Sequence, residues 1–252
     1  MVLAHMTWPE VEASSRESVV LIPTGSLEQH GPHLPLFTDS LLATHVASAV
    51  ERAIPDKVLM TPTLWLGASG HHLAFAGTLS ADFDVYMGAI SSVVRSLRRH
   101  GFYKFYLLNG HGGNNEPNGM VLRKLKEADP ELQVGHSGYY AFGAESSKAL
   151  MTGPLKEIKH ACEAEASMML HVHPDLVRRD KLRDDGLVAE PAIRGMVHLF
   201  DEITQQGSFG FATRAEASKG ERMINAAIEG IVRDLTALAD GYSLGSIVPS
   251  GS

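Results

Sequence analysis

The first 137 residues alternate between short apolar runs and longer segments in which apolar residues recur at three-to-four spacing. The runs predict strands at residues 18–24, 58–63, 102–108 and 133–137. Residues 40–54, which Pro55 stops, have the period of an amphipathic helix. A second helix is predicted from Asp82 or Asp84 to Gly101, and a third follows a glycine-rich loop at 109–114 and continues through Leu125.

Strands that alternate with helices predict an α/β fold, a three-layer sandwich with a mostly parallel central sheet. In such sheets the functional loops gather at the carboxyl ends of the strands. Beyond residue 143 the pattern is less regular, although 163–171 and 221–239 are predicted to be helical. Because no internal repeat or linker is visible, residues 1–252 are expected to form one domain with a loose tail at about 246–252.

Composition narrows the possible functions. The formal net charge of −7 and the absence of a dense Lys/Arg run argue against nucleic-acid binding. No apolar run approaches the length of a membrane span, and residues 1–16 do not resemble a signal peptide. Together with a single cysteine, Cys162, these features favour a cytoplasmic protein that acts on a small molecule. The 13 histidines make metal chemistry worth testing.

The segment GSLEQHGPHLPLFTD at residues 25–39 contains Glu28, His30, His33 and Asp39 in what is predicted to be one loop after a strand. Extended i, i+2 spacing directs Glu28 and His30 to the same side. Carboxylate and imidazole together suit Zn²⁺, Mn²⁺ or Fe²⁺. The alternative is a loop whose polar side chains satisfy backbone groups, since two potential ligands do not define a metal site.

The segment NGHGGN at residues 109–114 follows an apolar strand directly. Its glycines allow backbone to come close to a ligand, and His111 is held at the end of the strand. A phosphate-binding loop is the competing interpretation. That interpretation is disfavoured because neither the G-x-G-x-x-G spacing nor a following Lys-Ser/Thr is present.

The segment HACEAEAS at residues 160–167 leads into an apolar helical run. Glu163 and Glu165 are two residues apart and cannot share one helical face, so at most one of them is expected to join His160 in a site. The alternative is a solvated helix start, because acidic residues are favourable in a first turn.

These three segments resemble the creatininase (creatinine amidohydrolase) family, whose members carry G-S-x-E-Q-H-G-P-H-L-P-L-x-T-D, N-G-H-G-G-N and H-A-x-x-x-E-T-S. The first pattern stands almost intact, the second is unchanged, and the third departs at Ala166, where Thr is usual. A fourth family element, G-x-S-x-E-H followed by F-x-G-T, is present at residues 67–78 with His71 in place of its glutamate. The resemblance spans roughly residues 18–175 and implies a creatininase-like fold.

The resemblance implies two divalent ions per chain, Zn²⁺ first and Mn²⁺ or Fe²⁺ as alternatives. The implied ligands are Glu28, His30, Asp39, His111 and Glu165, with Asp39 bridging the ions. Creatininase itself has a ligand Glu at the position of Gly113, and this departure favours Glu165, with Glu163 in reserve. His160 and Glu165 are the implied catalytic residues. His160 is expected to donate a proton to the leaving nitrogen, and its alternative role is to orient Glu165.

The resemblance also implies a metal-activated water that cleaves a C–N bond of a small cyclic amide or formamide. The candidate substrate-binding residues are Ser69, His72, Gly112, Lys156 and Glu157. Lys156 and Glu157 replace a Trp-Asp pair that encloses creatinine in creatininase, which disfavours creatinine and makes residues 137–159 the expected source of specificity. Ring-opening C–C hydrolysis, maturation of a peptide and a non-catalytic metal-binding role remain alternatives. A homo-oligomer, a hexamer by family resemblance, is expected.

Overall fold

A computed structural model describes residues 1–187 and 195–241, and within them the strands form one parallel sheet. The strands are β1 (Val19–Thr24), β2 (Val58–Met60), β3 (Lys104–Asn109) and β4 (Gln133–Gly138), in the order β2-β1-β3-β4. In the centre of the sheet Leu21 pairs with Met60 on one side and with Tyr106 on the other. The predicted parallel sheet is confirmed.

Helices connect the strands and extend beyond the last one. They are α1 (Trp8–Ala13), α2 (Thr38–Ala53), α3 (Phe83–Arg99), α4 (Asn115–Ala128), α5 (Tyr139–Phe142), α6 (Ala144–Leu150), α7 (Glu163–Val172), α8 (Phe200–Ile203) and α9 (Ala217–Ala239). None of the described helices is both long and apolar enough to cross a lipid bilayer.

The two faces of the sheet bury separate apolar cores. On β1, Val19 and Leu21 point to a core that α2, α7 and α9 share, whereas Val20 and Ile22 point to a core that α3 and α4 share. Period-two alternation along a strand that is buried on both faces gives this division. The predicted three-layer architecture is therefore confirmed.

The boundaries of three elements differ from the sequence prediction. Asp39 was expected in a loop but lies in the first turn of α2, which starts two residues early and has Phe37 at its N-cap without a side-chain hydrogen bond. Strand β2 ends at Met60 because Pro62 has no N–H to continue the ladder. Helix α9 starts at Ala217 rather than at residue 221 and already buries Lys219 in its first turn. The tail at 246–252 lies outside the described residues.

The carboxyl ends of β1 and β3 meet at one edge of the sheet. Thr24, the last residue of β1, pairs with Asn109, the last of β3, and its hydroxyl donates to the Asn109 side-chain oxygen at 3.1 Å. The loops that follow both strands therefore begin side by side at this edge.

Candidate metal centre

Asp39 lies at the middle of a cluster of buried carboxylates and imidazoles. Its Oδ1 is 3.0 Å from Nε2 of His30, and its Oδ2 is 3.0 Å from Nδ1 of His111. The Ser26 hydroxyl donates to Oδ2 at 2.8 Å and holds the carboxylate in this orientation. One carboxylate thus faces two histidines from two different loops.

Close backbone packing brings these loops together. A Cβ atom on Gly110 would lie 3.0 Å from the Ala43 side chain, so the glycine lets the loop after β3 lie against the start of α2. The Asn114 side chain donates to the carbonyl of Gly25 at 3.0 Å and accepts from the N–H of Ala68 at 2.9 Å. Asn114 therefore joins three segments around the cluster.

Three groups of potential ligands meet at this point, and one of them, Glu28 with His72 and His160, contains a single predicted ligand. The first subsite consists of Glu28, Asp39 and His111, and the second subsite consists of His30, His160 and Glu165; within each, the ligand atoms lie within 4.8 Å of one another. Asp39 belongs to the first subsite and contacts His30 of the second. The structure thus brings the five predicted ligands and His160 into one cluster.

Three imidazoles in the cluster direct one ring nitrogen to a backbone carbonyl and the other to the centre of the cluster. Nδ1 of His30 lies 3.1 Å from the carbonyl of Glu28, Nε2 of His111 lies 3.2 Å from the carbonyl of Ala68, and Nε2 of His160 lies 2.7 Å from the carbonyl of Gln29. Because a carbonyl oxygen can only accept, the proton of each neutral ring belongs on the nitrogen that faces the backbone. Metal-binding histidines are oriented in this way in known sites.

The Glu28 carboxylate also indicates that a cation fits here. Both of its oxygens are buried and have no hydrogen-bond partner among the described residues. Ring nitrogens of His111, His72 and His160 lie 3.2, 3.3 and 3.7 Å from Oε1. A buried carboxylate without a well-formed hydrogen bond is costly, and a bound cation would satisfy it.

The pKa values within the cluster follow from its charges. Burial alone would lower the pKa of His30, but the carboxylates of Asp39, Glu165 and Glu28 together outweigh burial and raise it to about 10. Burial raises the pKa of Glu165 to about 7. Without a metal, protons on these groups offset the negative charge of three buried carboxylates. Divalent cations would offset the same charge and displace the protons.

Glu163 and Glu165 have different surroundings although both start α7. The Glu165 carboxylate accepts from the N–H of Ala161 and belongs to the second subsite. The Glu163 carboxylate turns away and accepts from Lys219 at 2.9 Å and from the N–H groups of Thr152 and Gly153, each at 2.8 Å. The spacing argument predicted that the two would diverge, and the structure places Glu165 in the cluster.

Two of the predicted substrate-binding residues are buried beneath the cluster. The hydroxyl of Ser69 lies 3.3 Å from Nε2 of His111, and Nε2 of His72 faces Glu28. The Gln29 side-chain oxygen accepts from the N–H of Gly31, which directs the Gln29 amide nitrogen to His72. That nitrogen donates to Nδ1 of His72 at 2.8 Å and so fixes the orientation of the His72 ring. Both residues contact candidate metal ligands.

The other three lie at the surface of the chain. Gly112 is exposed beside His111, and a Cβ atom there would meet nothing within 4 Å. The Lys156 ammonium donates to the carbonyl of Met151, and the Glu157 carboxylate pairs with Lys159 at 3.1 Å. The structure does not bring Lys156 and Glu157 to the metal ligands.

The sequence analysis missed Phe200, a residue of α8 that covers part of the cluster. Its ring centroid is 4.2 Å from that of His72 and 4.7 Å from that of His160. Phe200 lies in the irregular part of the chain, where neither periodicity nor a motif marks it. Gln29 was also missed, although its position between Glu28 and His30 could have drawn attention to it.

Gly113 leaves no room for the ligand that creatininase carries at this position. A Cβ atom on Gly113 would lie 2.6 Å from Nε2 of His111 and 2.7 Å from Cε1 of His71. The His71 ring stacks on that of His111, with centroids 5.6 Å apart and planes 16° from parallel. The imidazole that replaces the family's glutamate therefore packs beside Gly113.

Comparisons with known proteins match this chain to one family. The family model Creatininase, described as creatinine amidohydrolase, matches residues 4–235. A creatinine amidohydrolase from Pseudomonas putida is 30% identical over 247 residues, which cover 91% of this chain and 94% of that protein. A mycofactocin precursor peptide peptidase from Mycobacterium ulcerans is 31% identical over 247 residues, which cover 93% and 88%. A solved structure of a creatininase with manganese is similar with a TM-score of 0.80 and 30% identity, over 93% of this chain and 96% of that one.

Proposed function

Because the chain belongs to the creatininase family of metal-dependent hydrolases, we propose that it cleaves a C–N bond of a small cyclic amide or formamide with two divalent ions. The observation that carries the proposal is the position of Asp39, whose two oxygens each lie 3.0 Å from a histidine of a different loop. A carboxylate shared in this way suits a bridge between two ions. Glu28 and His111 are the other proposed ligands of one ion, and His30 and Glu165 are those of the other, while His160 of the second subsite serves as a proton carrier.

The donor set favours Zn²⁺, with Mn²⁺ or Fe²⁺ as alternatives, because imidazole and carboxylate together suit borderline cations. Three carboxylates supply a charge of −3 against +4 from two ions, which leaves the centre attractive to an oxyanion. When bound, such ions lower the pKa of a coordinated water towards 7 and polarise a substrate carbonyl. The side chains of the cluster hold the ions and carry the proton that the leaving nitrogen receives.

His160 is the proposed proton carrier. Its Nε2–H donates to the carbonyl of Gln29 at 2.7 Å, so its Nδ1 faces the centre and lies 3.7 Å from Glu28 Oε1. Burial and the neighbouring His30 and His72 hold the pKa of His160 well below its usual range, so the resting ring is neutral. Once Nδ1 has taken a proton during the attack, the Glu28 carboxylate stabilises the imidazolium, which then protonates the departing nitrogen.

The identity of the substrate is the least constrained part of the proposal. Lys156 and Glu157 are exposed where creatininase has the Trp-Asp pair that encloses creatinine, which disfavours creatinine itself. Phe200 supplies a flat apolar surface over His72 and His160, and this surface suits a compact planar group such as a lactam or formamide. Cleavage of a peptide is the second candidate, favoured by the 31% identity to a peptide peptidase.

The test is a substrate panel with protein that has been purified without chelators and analysed for metal. The panel contains lactams including creatinine, N-formyl amines, short peptides and a cyclic diketone, with Asp39→Ala as the inactive control. We expect a free amine from a lactam or formamide and two ions per chain. A C–C cleavage product, a peptide product or no turnover with two ions bound would each contradict the proposed reaction.

We also infer that the chain forms a homo-oligomer, a hexamer by analogy with the family. Three large apolar side chains before and at the start of α3 support this inference, because Leu73, Leu79 and Phe83 are 58%, 50% and 60% exposed. Exposed apolar surface of this kind can mark an interface. Light scattering should give a mass near six chains, and a monomer at micromolar concentration would contradict the inference.

A further inference from the structure

The backbone next to the second subsite adopts an unfavourable conformation. Ala161 has a φ of +49°. Among the described residues, 1–187 and 195–241, it is the single non-glycine residue with a positive φ. Left-handed backbone crowds the Cβ atom of an L-residue, and such strain persists where the surroundings impose it. Ala161 lies between His160 and α7, which carries Glu165. The strained residue thus connects two members of the second subsite.

Hydrogen bonds from distant parts of the chain hold this turn. Nε2 of His33 donates to the Ala161 carbonyl at 2.9 Å, and the N–H of Phe209 donates to the His160 carbonyl at 2.7 Å. His33 is fully buried, and its own carbonyl accepts from the N–H of Arg178 at 2.9 Å. Two consecutive carbonyls of the turn are therefore fixed from outside it.

The turn in return orients Glu165. The N–H of Ala161 donates to Oε2 of Glu165, and the other carboxylate oxygen remains available to the second subsite. Glu165 is the third residue of α7, and a glutamate at this position ordinarily bonds back to the N-cap N–H, which here belongs to Cys162. The left-handed Ala161 supplies a different donor and keeps the carboxylate directed towards His30.

We propose that His33 is a positioning residue of the second subsite, which holds the Ala161 turn and thereby orients Glu165 and His160. The inference rests on the proposed metal centre. His33 belongs to neither subsite, and it acts on the centre through the turn. Its hydrogen bond requires a proton on Nε2, which a neutral ring supplies. Burial lowers the pKa of His33 and keeps the ring neutral.

The test combines His33→Ala, Ala161→Gly and the double variant, each titrated with Zn²⁺ by calorimetry and analysed for bound metal after dialysis. His33→Ala should keep the ion of the first subsite and weaken the second ion by about 10- to 100-fold, the usual range for loss of a residue that orients a ligand. Ala161→Gly should bind both ions like the wild type. In the double variant glycine enters the left-handed region without strain, so most of the lost affinity should return.

Two further variants separate positioning from general destabilisation. His33→Gln retains an N–H donor and should bind the second ion more tightly than His33→Ala, even if His33→Ala folds poorly. His136→Ala removes a partly buried imidazole from β4 and should bind two ions normally. Thermal unfolding of the metal-free variants shows whether lost affinity follows lost stability. If the affinity for the second ion and the thermal stability fall in parallel, and Ala161→Gly does not rescue the affinity, the positioning role is overturned.

The possible failures are distinguishable. If the wild type binds two ions and His33→Ala binds both with unchanged affinity, the inference about His33 is wrong and the metal centre stands. If the wild type binds fewer than two ions, the proposed dinuclear function is wrong, and the inference about His33 is overturned with it.

Discussion

The cluster of candidate metal ligands and the surface proposed to face the substrate are held by different means. On the metal side, buried side chains bond to backbone from other loops, as Asn114 bonds to Gly25 and Ala68. By contrast, Phe200, which is proposed to face the substrate, lies on a four-residue helix, and Lys156 and Glu157 are exposed and do not reach the candidate metal ligands. A metal ligand cannot change without disturbing several partners, whereas the substrate-facing residues can change almost independently. A shared motif therefore identifies the metal chemistry better than it identifies the substrate.

The first turn of α7 repeats this contrast on a smaller scale. Glu165 belongs to the second subsite, and Glu163, two residues earlier, pairs with Lys219 and holds residues 152–153 by their N–H groups. Glu165 is the proposed metal ligand, and Glu163 anchors the segment that leads to Lys156. Variants of the two should therefore fail in different ways.

The largest effect is expected from Asp39→Ala on the metal side. Loss of the shared carboxylate should release both ions and lower activity by roughly 10³-fold or more, because several kcal/mol of metal-derived stabilisation are lost. Metal analysis and turnover on the substrate from the panel check this together. Asp82→Ala, at the exposed N-cap of α3, is the matched control and should keep both ions. Retention of two ions in Asp39→Ala would refute the bridge.

Glu165→Gln and Glu163→Gln give the next largest effect and the sharpest contrast. Glu165→Gln should lose the ion of the second subsite and roughly 100-fold in activity. Glu163→Gln should keep two ions but lower the free energy of unfolding by about 1–3 kcal/mol, because the buried Lys219 loses a charged partner. Metal analysis and urea unfolding separate the two outcomes. An equal loss of metal from both variants would contradict the assignment of Glu165.

At the surface proposed to face the substrate, Phe200→Ala should leave both ions in place and raise KM by about fivefold with a smaller change in kcat, since an aromatic contact contributes about 1 kcal/mol. Phe200→Leu is the size control, and its KM should lie between that of the wild type and that of Phe200→Ala. Steady-state kinetics with metal-saturated protein provide the measurement. Loss of a metal ion from Phe200→Ala would show that the two sides are not independent.

The smallest expected effect is the pH dependence of the stability that Glu163 contributes. Burial alone would raise the pKa of Glu163, but hydrogen bonds from Lys219 and from the N–H groups of Thr152 and Gly153 outweigh it and lower the pKa below 4.5. The stabilisation is therefore complete above about pH 4.5 and is lost as the pH falls through the folded-state pKa. The stability difference between metal-free wild type and Glu163→Gln should shrink from pH 6 to pH 3. A constant difference would contradict the charged pair.

Periodicity predicted the parallel sheet and the edge at which the motifs gather, because both follow from local sequence. It placed Asp39 in a loop because α2 has Phe37 at its N-cap, where no Ser, Thr, Asp or Asn marks the helix start. The cover by Phe200, the Gln29 contact to His72 and the strained turn at Ala161 depend on contacts between distant segments. No local pattern encodes such contacts, so the sequence did not reveal them.

Anomalous diffraction from crystals of the metal-loaded protein tests the central claim most directly. Two peaks about 3.5–4 Å apart should appear on either side of the Asp39 carboxylate, one beside Glu28 and His111 and the other beside His30 and Glu165. A single peak, or peaks away from Asp39, would contradict the account of a shared dinuclear centre.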